Sequence, residues 1–158
     1  MKPTPGNYSK LITNIRNFCG IIREIETYPS GNLMPDLLRV LSLISHDMER
    51  LDVATDSQFF ALPDLDYRFD MFCRLLEVLA PRISDSNPES WETAVGNLAD
   101  DLTDLYFELQ RGLDLLDLNT TQPLSALSLW RTGYQLHWKE HLESAQQQLA
   151  RIFHQYPG

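Results

Sequence analysis

Apolar residues recur at steps of three and four along almost the whole chain, and that period leaves room for helices and little else. Tyr8, Leu11, Ile12, Ile15, Phe18, Cys19, Ile22 and Ile25 share one side of such a helix, which predicts a first helix over residues 7–27. Pro29-Ser30-Gly31 breaks it. Met34, Leu37, Leu38, Leu41, Ile44, Met48 and Leu51 form a second stripe. Pro35 is tolerated there if it lies in the first turn, where a missing N–H costs no hydrogen bond. Residues 52–63 are polar and aperiodic up to Phe59-Phe60 and read as a loop, with Phe59, Phe60 and Leu62 folded back onto the end of the bundle.

A third helix is expected from Asp64, which can cap it, to Pro81, with Leu65, Phe69, Phe72, Cys73, Leu76 and Leu79 inside. Asn87-Pro88 reads as the N-cap and first residue of a fourth helix, with Leu98, Leu102, Leu105, Leu109, Leu113 and Leu116 on one line. Asn119–Pro123 separates it from a last helix over 123–155, which carries Leu127, Tyr134, Trp138, Leu142, Ala145, Leu149 and Ile152. No segment alternates with the period of a strand. The expected fold is an all-α, up-and-down bundle of about five helices, one domain over 1–158 with a short flexible segment at about 1–6. At 158 residues and 43% hydrophobic content, the chain has the means to bury one shared core.

Charge and cysteine usage exclude several function classes. The formal net charge of −9 gives no electrostatic footprint for nucleic acid or anionic lipid. The two cysteines, Cys19 and Cys73, form no CxxC pair and lie on apolar stripes, as small core residues do. The N-terminus has no signal-peptide pattern, and no apolar run is long enough to span a membrane. The cytoplasm is the expected compartment, a protein partner or a second copy of the chain the compatible partners.

One polar cluster stands out. Residues 83–120 hold nine acids and one base, Arg111. Most of these acids read as a solvated helix face, Asp100 and much of Asp104 included. Asp101 and Glu108 instead fall on the shoulder of the leucine line, about 75–95° from its centre at 3.6 residues per turn. In the last helix Arg131 lies inside the apolar stripe, where a guanidinium is costly without a carboxylate. His141 shares that face, His137 lies one turn back on its edge, and Trp130 and Trp138 flank them. The simplest arrangement pairs Arg131 with Asp101 or Glu108 and draws in the histidines. Gly112 and Gly133, inside the two helices, predict a close approach of those helices or of an aromatic ring.

At these residues the chain resembles the bacterial domain-of-unknown-function family 5063. The segment Gly96-Asn97-Leu98-Ala99-Asp100-Asp101-Leu102-Thr103-Asp104-Leu105-Tyr106, with Leu109, Gly112 and Leu113, is similar to one block of that family. Leu129-Trp130-Arg131, with His137-Trp138 and His141-Leu142, is similar to a second, which this chain leaves at Lys139 where the family has glycine. The resemblance implies a small helical bacterial protein of the cytoplasm with no established activity. It marks Asp101, Asp104, Arg131, His137, Trp138 and His141 and supplies no mechanism.

Metal chemistry has one attractive feature, the i, i+4 spacing of His137 and His141. Neither Glu-x-x-His nor His-Glu-x-x-His occurs, so the residues by themselves name no metal and no cofactor. There is no nucleophile elbow and no glycine loop for phosphate, hence no catalytic residue to assign. Two readings follow. The first is a non-catalytic interaction or regulatory module in which Asp101, Asp104, Glu108, Arg131, His137 and His141 form an internal network. The second is a small-ligand or metal-dependent enzyme site between the fourth and last helices, and it requires an open cleft at Trp130 and Trp138.

Overall fold

The computed structural model describes residues 6–55, 65–82, 88–118 and 123–155. Its elements in chain order are α1 (Gly6–Arg23), α2 (Ser30–Glu49), α3 (Leu65–Leu79) with a 3₁₀ turn Ala80–Arg82, α4 (Pro88–Leu118), α5 (Leu124–Gly133), a π-helical segment (Tyr134–Trp138) and α6 (Lys139–Gln155). The backbone stays right-handed helical through Gly133, Tyr134 and Lys139, so α5, the π segment and α6 make one rod. The fold is a helical bundle of five rods, with no strand among the described residues. The expected flexible tip, the loop with Phe59, Phe60 and Leu62, the caps Asp64 and Asn87, and the linker at 119–122 lie outside the described residues, save Gly6, which opens α1.

Side-chain contacts show α1 running opposite to α4 and α2 opposite to α6. Arg16 meets Asp117 and Arg23 meets Gln110 across α1 and α4. Glu49 meets Lys139 and Ser42 meets Gln146 across α2 and α6. The packed pairs α1–α2, α2–α6, α6–α4 and α4–α1 close a ring of four rods, and α3 lies against α4 outside it. The core is continuous, from Leu11, Ile15, Phe18 and Ile22 of α1 through Leu37, Leu41 and Ile44 of α2 to the leucine line of α4 and Leu142, Ala145 and Leu149 of α6. Among the described residues no helix is long and apolar enough to cross a membrane.

Three local departures from the periodic reading have physical causes. α1 ends at Arg23 and a turn follows, yet Ile25 remains fully buried, so the apolar stripe outlasts the helix that began it. Ser30 and Gly31, read as breakers, are the first turn of α2, with Pro29 at its N-cap. Pro35 therefore lies past the first turn; the carbonyl it cannot serve is that of Gly31, an exposed residue whose backbone water can reach. In α3 the buried line is Met71, Leu75 and Leu79, while Phe69 is 65% exposed and Cys73 half-buried. That rotation turns Arg68 toward α4, where Asp104 receives it.

Candidate functional site

The polar residues gather on one seam, where α4 lies between α3 and the rod of the π segment and α6. α4 contributes Asp101 at 6% exposure, Glu108 at 3% and a half-buried Asp104. Asp101 and Glu108 sit there because the leucine line faces the centre of the ring and leaves its shoulder to the seam, as the wheel predicts, whereas Asp104, expected mostly in solvent, is instead covered by Arg68 and His141. Asp100 is exposed, also as expected.

His141 is the hub. Its Nδ1 lies 2.9 Å from Oδ1 of Asp101 and its Nε2 lies 3.1 Å from Oδ2 of Asp104. Gln148, two turns along α6, donates its amide to Oδ2 of Asp101 at 2.8 Å. Arg68 of α3 pairs with Oδ1 of Asp104 and places its guanidinium 5.9 Å from the centre of the Phe107 ring. The hydrogen bond to Asp101 raises the imidazole pKa of His141 above its ordinary value, against the opposing effect of burial. His137, a third exposed, sets its Nδ1 3.5 Å from Oε1 of Glu108, and its ring stands edge-on to that of His141 at 5.3 Å.

Arg131 corrects the expected pairing: it meets neither Asp101 nor Glu108. It donates to the carbonyl of Met48 at 3.4 Å, beside Glu49 of α2. The π segment gives the reason. The N–H of Lys139 reaches back five residues to Tyr134, so this turn takes in one residue more than an α-turn. Everything before it is rotated by about 100° relative to a uniform 3.6-residue wheel. Arg131 is thereby presented to α2, and the cation of the seam comes from α3. Arg68 was legible in principle, being three residues after Leu65 and four before Phe72 within an apolar stripe. Gln148 carried no charge signal, and Tyr134, which donates its hydroxyl to Glu49, read only as apolar stripe.

The tryptophans are packed rather than open. Trp130 is 1% exposed and Trp138 is fully buried, with Tyr134 edge-on to it at 4.9 Å. Trp130 donates its indole N–H to the carbonyl of Leu109 at 3.1 Å and packs its ring against Gly112. The expected close approach therefore occurs at Gly112, while the cleft that the enzyme reading places at these two tryptophans is filled by their own rings. Cys19 is fully buried, which pushes its thiol up to about 12 and leaves it inert as a nucleophile. Asp100, Asp101 and His141 bring potential metal-binding atoms within 4.8 Å of one another.

The family model described as "Domain of unknown function (DUF5063)" matches residues 4–155. No curated protein matches the chain. Among solved structures, the crystal structure of protein BF1032 from Bacteroides fragilis superposes with a TM-score of 0.72 at 15% identity. The match covers 98% of this chain and 95% of that one, and at this identity the likeness is one of fold.

Proposed function

This chain belongs to the DUF5063 family of domains of unknown function, and we propose that it acts as a non-catalytic helical module that binds other proteins. The observation that carries the reading is the mutual pairing of Asp101, Asp104, His141, Gln148 and Arg68 within the seam. Both oxygens of buried Asp101 are occupied, by His141 and by Gln148, and Asp104 is held between Arg68 and His141. Asp101 and Asp104, committed to other side chains in this way, set the register of packed helices and are not open to a substrate as acid or base. The packed tryptophans and the inert Cys19 support the same reading.

The binding surface we assign to it is the outer side of α3. Among the described residues that helix packs against α4 and, through Arg74, against the end of α1, and Tyr67 and Phe69 stand 66% and 65% exposed on it. Large aromatics are enriched where proteins meet one another. Two measurements test the proposal together. A thermal-shift screen against nucleotides and metabolites is expected to be flat. Cross-linking in cells is expected to give partners of the native chain that the Tyr67→Ala/Phe69→Ala double variant loses at unchanged melting temperature. A nucleotide or metabolite whose stabilising shift vanishes in Asp101→Asn overturns the reading and makes the seam a ligand site.

A further inference from the structure

The charges of α3 are sorted by sign. Its cations are committed to the rest of the bundle. Arg68 pairs with Asp104 of α4. Arg74 grips Glu26 with Nε at 2.6 Å and Nη2 at 2.8 Å, and Nη2 also donates to the carbonyl of Arg23 at 3.0 Å. In the 3₁₀ turn that follows, Arg82 donates to the carbonyl of Val78 at 2.7 Å. The helix has no lysine and no histidine. Its acids Asp70 and Glu77 are exposed, and none of these guanidiniums is bonded to either. At about 100° per residue, both acids point about 140–160° away from the buried Leu75. Phe69 flanks them about 120° round from Leu75 on one side, and Tyr67 about 80° round on the other. Glu77 follows Asp70 at a distance of about 10.5 Å along the axis.

We propose, resting on the reading of α3 as a protein-binding surface, that its outer face takes an arginine-rich segment of another protein. An exposed aromatic ring attracts a cation to its face, and a carboxylate beside the ring supplies the counter-charge. Arginine meets both demands, because its planar, weakly hydrated guanidinium stacks on a ring and donates in pairs to a carboxylate. The ammonium of lysine is a compact charge that holds its water more tightly. Tyr67 and Asp70, one turn apart, offer a ring and a carboxylate to one such side chain, and Glu77, two turns further on, offers a carboxylate to a second. The cations of α3 that could have neutralised this face are held elsewhere, so its negative charge is left to the partner. The same arrangement speaks against a second copy of this chain as the occupant. Two such faces would set carboxylate against carboxylate, between chains that each carry a net charge of −9. That net charge also steers a basic partner toward the molecule from a distance.

The test is a titration of the full chain into a short fluorescein-labelled peptide of alternating alanine and arginine, read by anisotropy, beside peptides with lysine or glutamate in place of arginine. The arginine peptide is expected to bind about threefold or more tighter than the lysine peptide, and more weakly as salt is raised, while the glutamate peptide does not bind. Asp70→Asn/Glu77→Gln and Tyr67→Ala/Phe69→Ala are each expected to weaken binding about five- to tenfold. Glu140→Gln/Glu143→Gln, which removes two exposed acids from α6, is expected to change it less than about twofold. All the substituted side chains are exposed, so the variants should melt with the native chain. No binding of the arginine peptide, or lysine binding equally well, overturns the proposal. So do undiminished binding in the α3 variants and an equal loss in the α6 variant, which would make net charge the only attraction. Cross-linking in cells separates the two readings. Partners of the native chain are expected to be lost from Asp70→Lys/Glu77→Lys as well as from Tyr67→Ala/Phe69→Ala. Loss from the aromatic variant alone overturns the arginine-rich partner and leaves the protein-binding surface standing, and retention in both overturns the surface itself.

Discussion

Gly112→Ala should destabilise the protein even though alanine is the better helix former. A Cβ built on Gly112 would stand 2.0 Å from the indole nitrogen of Trp130, far inside van der Waals contact. The ring cannot yield cheaply: Trp130 is 1% exposed and its N–H is tied to the carbonyl of Leu109 at 3.1 Å. Replacing glycine by alanine within a helix gains about 1 kcal/mol. Forcing a methyl into a packed core costs about 1–3 kcal/mol. Displacing the indole from its carbonyl adds about 1 kcal/mol for a buried hydrogen bond. The balance is a loss of about 1–3 kcal/mol, most of it from overpacking. Gly20 and Gly96 provide the control, because a Cβ at either meets nothing within 4 Å. Gly20→Ala and Gly96→Ala should each stabilise by a few tenths to about 1 kcal/mol. Urea unfolding at fixed pH, with chelator present, measures all three on one scale. A double-mutant cycle with Trp130→Phe, which removes the ring atoms at the contact, should recover about 1–2 kcal/mol of the Gly112→Ala loss. Gly112→Ala more stable than the native chain, or no coupling to Trp130→Phe, would refute the packing argument.

Other outcomes follow from the same geometry. Arg68→Met, which strips the guanidinium from the partly buried Asp104, should cost about 1–3 kcal/mol in urea unfolding, whereas Arg131→Met should cost under about 1 kcal/mol. Coupling between Arg131 and Asp101 near zero in a double-mutant cycle would confirm that the cation of the seam is Arg68. In metal-free protein the raised pKa of His141 gives stability that is fully present below the unfolded-state value of about 6.5 and is lost as pH rises through the higher folded-state value. Melting temperature should therefore fall as pH rises above about 6.5 in the native chain, with a smaller fall in His141→Gln; equal falls would remove His141 as the cause. Cys19, with its thiol pushed up to about 12, should resist a disulfide reagent until the chain unfolds, while half-buried Cys73 reacts in the native state. Peptide mapping of the labelled thiols distinguishes them.

The two ends of the seam were not equally legible. Asp101 and Glu108 could be placed on the shoulder of the leucine line because α4 is a regular helix over 31 residues, and a uniform wheel holds along it. The same wheel failed for Arg131 because the π segment, with no proline or glycine inside it to announce it, shifts the phase partway along the rod. It failed again in α3, where the apolar residues are numerous enough to define two faces. The face that turns inward, with Met71, Leu75 and Leu79, also brings Arg68 to Asp104 on a helix far along the chain. Hydrophobic period ranks faces by apolar content, and it carries no information about a charge pair that only a particular packing brings together.

The sequence alone determined that this chain is helical, roughly where each rod starts and stops, and which positions of α4 lie half inside. Those properties are local: they follow from the 3.6-residue period, from proline and glycine, and from apolar burial that any partner surface would satisfy. The tertiary structure alone decided that four rods close a ring with α3 outside it, that Arg68 rather than Arg131 enters the seam, and that the tryptophans are walls rather than the lining of a cleft. These are relations between residues distant in sequence. Their energies arise only when a guanidinium, an imidazole or an indole ring meets the one neighbour that satisfies it.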